Sequence, residues 1–267
     1  MNETFKEMSL LDHLHDLRKF IQRSFMAILL GGIVVFSARS LVFDRILFAP
    51  IDPQFVSYKY FCKFFGIFCN TDIPIQLISR QLQGQFSVHI WTSVYLGIVI
   101  AFPYIIYEFW KFISPGLYEN EKKTGKRFVF ITTFLFFTGV LFGYYVITPL
   151  VVQFLTNYSI SDKVSNFVDI KSYITNVRTT ILAVGVVFEL PVIIYFMAKL
   201  GLITSRFMKE NRKYAVVIIL TVSAVITPPD VFSQIMVSIP LIILYEISIY
   251  ITRMIEKKQP QHLKPQE

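Results

Sequence analysis

Tyr214-Ala-Val-Val-Ile-Ile-Leu-Thr-Val-Ser-Ala-Val-Ile-Thr-Pro-Pro-Asp230 carries 16 mostly apolar residues between Lys213 and Asp230. A second apolar run follows at once from Val231 to Tyr245, holds Pro240 and stops at Glu246. At 1.5 Å rise per residue, each run makes at most roughly 24 Å of helix, against a hydrocarbon core of about 30 Å. The pair therefore reads as two stunted membrane spans joined by the turn Thr227-Pro-Pro-Asp230. Such helices either thin the local bilayer or are shielded by longer neighbours. An ordinary structural span needs no such geometry, which marks the pair for function.

The rest of the chain supports a membrane setting. Of its 267 residues 54% are hydrophobic and only 16% charged, and the mean hydropathy is +0.55. A soluble domain carries about 25% charged residues. Residues 1–23 hold Glu3, Glu7, Asp12 and Asp16 and lack the compact apolar core of a cleavable signal, so the first span is expected to insert the chain itself.

Six spans are predicted, near 24–43, 84–110, 128–155, 175–198, 214–228 and 231–251. With an even number, both termini share one side. That side collects 18 of the 26 Lys and Arg residues, the other side 8. The positive-inside rule places both termini in the cytoplasm. The net charge of +8 thus reflects topology and does not point to nucleic acid. The predicted fold is an all-α polytopic bundle with short fifth and sixth spans, a single unit over residues 1–254.

Ahead of the first span, Ser9 and Asp12 form a capping-box signature, and Leu10, Leu14, Leu17 and Ile21 mark one helical face. An amphipathic helix over about 9–22 is expected along the cytoplasmic membrane surface. The first outer loop is long and aromatic and should fold as a cap. Its Cys62 and Cys69 either pair, as an oxidising compartment allows, or remain free thiols. Pro103, Pro149, Pro191 and Pro240 fall inside predicted spans and should bend them, giving a curved bundle. Gly139 and Gly143 make a GxxxG pair, a spacing common in spans. No internal repeat is visible, and residues 255–267 read as a disordered cytoplasmic tail.

Few residues invite chemistry. Glu189 lies mid-span, where an ionised, lipid-facing carboxylate is costly. It is either a polar element of a substrate-facing concavity or a neutral carboxyl hydrogen-bonded between helices, to Gln153 or a tyrosine. Glu108 stands at a membrane edge and means little alone. Glu121 and Asp16 read as solvated charges taken singly, yet both fall on one cytoplasmic rim, where paired carboxylates could receive guanidinium groups. No metal-ligand cluster, phosphate loop or nucleophile elbow occurs, so neither an enzyme nor a cofactor is expected.

In this order and spacing the motifs resemble the TatC family, the multispanning receptor subunit of the twin-arginine protein translocase. His13-Leu-His-Asp-Leu-Arg18 is similar to the family's His-Leu-x-Glu-Leu-Arg, and Pro50 to a proline early in its first outer loop. Pro103 with Tyr107, Trp110, Phe112 and Ser114-Pro-Gly-Leu-Tyr118 follows its second-span signature. Phe188-Glu-Leu-Pro191, Leu200-Gly-Leu-Ile-Thr204 and, most specific of all, Thr227-Pro-Pro-Asp-Val-Phe-Ser-Gln234 complete the likeness over about residues 9–254.

The resemblance implies a glove-like concave bundle with no catalytic role, resident in a bacterial cytoplasmic (inner) membrane. It further implies binding of twin-arginine signal peptides of folded cargo through Asp16, Glu121, Arg18 and Phe112. Glu189 falls on the family's intramembrane acid. Pro50, Pro103, Pro228, Pro229, Asp230 and Gln234 fall on structural or partner-contact positions. The implied partners are TatA- and TatB-like single-span subunits, further copies in an oligomeric receptor complex and membrane lipids, with transport driven by the protonmotive force. The family usually has Glu where this chain has Asp16, one methylene shorter. The rival reading is a secondary transporter of a small solute using Glu189, although such folds usually show internal repeats.

Overall fold

A computed structural model describes residues 10–66, 69, 76–114, 125–158, 161, 167–227 and 231–258. Helices dominate them. In chain order they are α1 (Leu10–Ser37), α2 (Val56–Phe65), α3 (Gly84–Ile113), α4 (Gly125–Phe142), α5 (Thr148–Asn157), α6 (Ile170–Val187), α7 (Leu190–Lys199), α8 (Ser205–Glu210), α9 (Arg212–Ile226) and α10 (Val231–Lys258). Two short strands, β1 (Gln76–Ile78) and β2 (Phe167–Asp169), pair in parallel with Gln76 opposite Phe167. Five helical stretches are long and apolar enough to cross a membrane: Leu14–Ser37, Gly84–Ile113, Gly125–Asn157, Ile170–Lys199 and Gln234–Lys257.

The opening stretch is half corrected by this. α9 has 15 residues, about 22 Å of helix, and ends where Thr227 turns extended, the conformation a following proline demands. α10, in contrast, runs 28 residues without a break at Pro240 or Glu246. Glu246 does not end it, since glutamate is a good helix former, and Arg212 pairs with its carboxylate at 2.7 Å. Of the predicted pair, only the first is short as a helix.

Other expectations shift as well. The N-terminal amphipathic helix is not a separate element, since α1 passes from Leu10 to Ser37 with no proline to break its hydrogen-bond ladder. Residues 255–258 belong to α10, and the Glu256 carboxylate accepts from the backbone N–H of Ser205 at 2.6 Å and from its hydroxyl, anchoring the start of α8. The remainder of the predicted tail lies outside the described residues. Of the four span prolines, Pro103 and Pro240 sit inside continuous helices. Pro191 stands in the first turn of α7, where no backbone donor is required, whereas Pro149 follows a π-helical turn, Gly143–Ile147, inside the unbroken helical stretch Gly125–Asn157.

The chain divides into two compact units. One contains residues 1–39 and 89–133. Here α1 and α3 approach through glycine: a Cβ added at Gly97 would stand 2.7 Å from the backbone nitrogen of Gly32 and 2.9 Å from the carbonyl of Ile28. His89 stacks on Phe36 at 4.0 Å, with Nε2 3.1 Å from the Phe36 carbonyl.

The other unit contains residues 40–88 and 134–267. Its core gathers Ile147, Val151, Val184, Phe188, Ile219, Val237 and Leu241. Gly139 belongs to this packing, because a Cβ there would lie 2.8 Å from Phe188 and 2.9 Å from the Cα of Gly185. Three tyrosines tie down the segment that follows α1. Tyr144 donates to the carbonyl of Ile46, Tyr173 to Leu47 and Tyr58 to Pro50, at 2.8, 2.8 and 2.7 Å. The Ile46 carbonyl gets no helical donor, since Pro50 has no N–H and the N–H of Ile51 turns to the Phe48 carbonyl at 3.0 Å, and Tyr144 supplies one. Burial pushes the Tyr58 hydroxyl well above its ordinary pKa, which keeps it a donor. Cys62 and Cys69 form a disulfide with Cα atoms 4.7 Å apart. The β1–β2 pair is closed by Asp169, whose carboxylate accepts from the backbone of Lys171 at 2.8 Å and of Arg80 at 3.3 Å.

Candidate functional site

Helix periodicity builds the site along α1 and α3. On α1, Asp16, Phe20 and Arg23 are spaced four and three residues apart and share one face. On α3, Tyr104, Glu108 and Phe112 do the same at intervals of four. The two rows meet. Phe20 stacks on Phe112 with ring centroids 6.0 Å apart and tilts against Phe109 at 6.1 Å. One turn further along each helix, Arg23 Nη1 lies 3.1 Å and 3.5 Å from the two carboxylate oxygens of Glu108. Tyr104 donates its hydroxyl to the same carboxylate at 3.2 Å.

This seam places two of the sequence-derived residues together, Phe112 inside the aromatic stack and Asp16 one turn from Phe20 on the same row. Arg18 is exposed and lies about 200° around α1 from Asp16, so it does not join them. Glu121 lies outside the described residues. From sequence Glu108 reads only as a membrane-edge charge, and Arg23, Tyr104 and Phe20 do not stand out. The signal available was the four-residue spacing of Tyr104, Glu108 and Phe112 together with a basic residue at the matching depth of α1.

An open hollow of about 450 Å³ shares this end of α3, lined by Tyr107, Trp110, Lys126, Val129, Phe130 and Thr133. Gly125 borders it and admits no side chain, since a Cβ there would meet the Trp110 ring nitrogen at 2.0 Å.

The other sequence-derived residues lie in the second unit. Glu189 is 8% exposed, at the break between α6 and α7 that Pro191 creates. Among the described residues neither carboxyl oxygen meets a side-chain donor, and the backbone of Phe136 lies beside the carboxyl. The expected bond to Gln153 is not made, and the side-chain oxygen of Gln153 is itself buried without a donor. A small cavity of about 130 Å³ between α5 and α6 is lined by residues such as Thr148, Tyr173 and Asn176, and does not reach Glu189.

Pro50 is buried and serves through its carbonyl, while Pro103 is half-buried inside α3. Gln234 donates from its side chain to the carbonyl of Leu220 at 3.1 Å, tying α10 to α9. Pro228, Pro229 and Asp230 lie outside the described residues. Among those described, no group of three His, Cys, Asp or Glu side chains gathers as a metal site would.

Similarity to known proteins follows the same lines. The family model for TatC, the Sec-independent protein translocase protein, matches residues 12–240. The TatC protein of Blattabacterium sp. subsp. Periplaneta americana is 38% identical over 266 residues, covering 97% of this chain and all of that relative. TatC of Desulforapulum autotrophicum is 38% identical over 248 residues, covering 93% of this chain and 85% of its own. A crystal structure of the twin arginine translocase receptor TatC in DDM superposes with a TM-score of 0.74 at 32% identity, over 90% of this chain and 99% of that one. Nothing in these likenesses favours a small-solute transporter.

Proposed function

The chain belongs to the TatC family of Sec-independent protein translocase proteins, and from that premise we propose that it receives twin-arginine signal peptides of folded cargo at its cytoplasmic face. The observation that carries this reading is the α1–α3 seam, where Asp16 and Phe112 fall on two rows joined by the Phe20–Phe112 stack. A carboxylate beside an aromatic surface suits a guanidinium, which forks to the carboxylate and lies flat on a ring. Asp16 and Glu121 take the paired arginines, Phe112 packs against the segment that follows, and Arg18 adds a contact on the same rim.

Counting the short α9 as a span gives six, with both termini cytoplasmic by the excess of basic residues on that side. On this topology the Cys62–Cys69 bond lies outside, where it is stable. TatA- and TatB-like single-span subunits pack on the short α9 and its neighbours, where the bilayer thins. Export is driven by the protonmotive force, in an oligomeric receptor complex of a bacterial inner membrane.

Full-length protein in detergent should bind a fluorescent Arg-Arg signal peptide, and Glu121→Ala should weaken that binding at least about tenfold, near 1.4 kcal/mol. Equal affinity for Arg-Arg and Lys-Lys peptides would sink the receptor reading.

A further inference from the structure

Glu108 is 6% exposed, and a carboxylate so buried needs a cation beside it. Arg23 supplies one in an unusual way. A single nitrogen, Nη1, spans both oxygens at 3.1 and 3.5 Å, in place of the two-pronged fork that guanidinium and carboxylate groups form at their strongest. The Arg23 side chain is 45% exposed, against 7% for that of Glu108. Arg23, just ahead of the span predicted at 24–43, can therefore swing to the membrane interface and remain solvated there. Glu108 has no such freedom, being held on α3 with the Tyr104 hydroxyl at 3.2 Å.

From this geometry we infer that Glu108, with Tyr104, is a further guanidinium subsite, filled in the unliganded protein by Arg23 and taken over by an arginine of the incoming signal peptide. The inference rests on the receptor reading. Exchange conserves charge, since the carboxylate never stands bare in a buried setting. It also selects its ligand: an arginine that forks to both oxygens outcompetes the one-nitrogen hold, whereas the point charge of lysine offers no second prong.

The placement suits the task. Arg23 stands seven residues from Asp16 on one face of α1, roughly 10 Å along the axis. An adjacent arginine pair on extended chain, its two long side chains splayed to opposite sides, covers that distance. The Phe20–Phe112 stack lies between the two carboxylates and offers a surface for the stem of each arginine. Arg23 thereby acts as a resident competitor that keeps the subsite neutral until a better fork arrives.

The test is peptide affinity in the full-length protein, for Arg-Arg and Lys-Lys signal peptides, in four forms: unaltered, Arg23→Gln, Glu108→Gln and the double variant. Arg23→Gln should tighten Arg-Arg binding about tenfold by removing the competitor. Glu108→Gln should weaken it about tenfold, and the double variant should match Glu108→Gln alone. If Glu108→Gln does not fold, Arg23→Lys decides, because a lysine is displaced more readily and tightens binding by a smaller factor. Arg-Arg preference in the unaltered protein with unchanged or weaker binding by Arg23→Gln, or by Arg23→Lys in its place, overturns the inference alone and makes the pair a brace. Loss of Arg-Arg preference in the unaltered protein overturns the receptor reading instead.

Discussion

Two carboxyl groups are buried almost equally in the two units of this molecule, and they are treated in opposite ways. Glu108, 6% exposed, is met by a guanidinium and a phenol hydroxyl. Glu189, 8% exposed, meets no side-chain donor among the described residues. Asp169, at the end of β2, is an intermediate case, served by backbone N–H groups. Burial alone thus says little about what a carboxyl does. A partnered one holds two helices in register, while an unpartnered one contributes a cost that packing around it must offset.

Separating the helices that make the partnered site should have the largest effect. Gly97→Leu places a side chain against the Gly32 and Ile28 backbones, which cannot yield as a flexible side chain would. It should lower stability by about 3 kcal/mol, seen as a drop in Tm in detergent, and abolish signal-peptide binding with it. An unchanged Tm would show that the seam tolerates separation and that the Arg23–Glu108 pair does not depend on it.

A direct exchange of the two glutamates for leucine should separate them next. Glu108→Leu loses hydrogen bonds to a charged group and should cost about 2 kcal/mol. Glu189→Leu removes two unsatisfied oxygens at similar volume and should be neutral or stabilise by about 1 kcal/mol. Thermal unfolding of both variants measures the difference, and equal losses would mean that Glu189 has a partner after all.

The smallest effect belongs to Asp169. Burial pulls its carboxyl upward, but donors from Lys171, Arg80 and Ser172 and the Arg80 charge outweigh this and hold its pKa below the ordinary 3.8. A depressed pKa contributes stability that is present above the ordinary value and lost as pH falls through the lowered one. Amide exchange at Leu77 and Val168 should therefore quicken below about pH 4, and Asp169→Asn should remove that pH dependence. A variant that kept the same acid response would point to another group.

Much of the molecule was legible because the bilayer imposes a length and a composition on anything that crosses it. The apolar runs, the short α9 and the motif residues Asp16 and Phe112 are local features. The second of the predicted short runs misled because a charge at Glu246 ends an apolar run without ending a helix, and α10 continues to Lys258. Glu108 looked like an edge charge because its cation is 85 residues away in the chain. Glu189 misled in the other direction, since an expected partner, Gln153, is present but makes no bond to it.

By itself the sequence determined the membrane class, the helix sequence, the stunted α9 and the family, because hydrophobic length and ordered motifs are written along one dimension. Only the tertiary structure decided which charges are paired, that α1 and α3 touch backbone to backbone at Gly97, and that three tyrosines hold the loop at Pro50. Hydrogen bonds and ion pairs act over about 3 Å. The neighbours that come that close are set by how helices pack, and the order of residues does not state it.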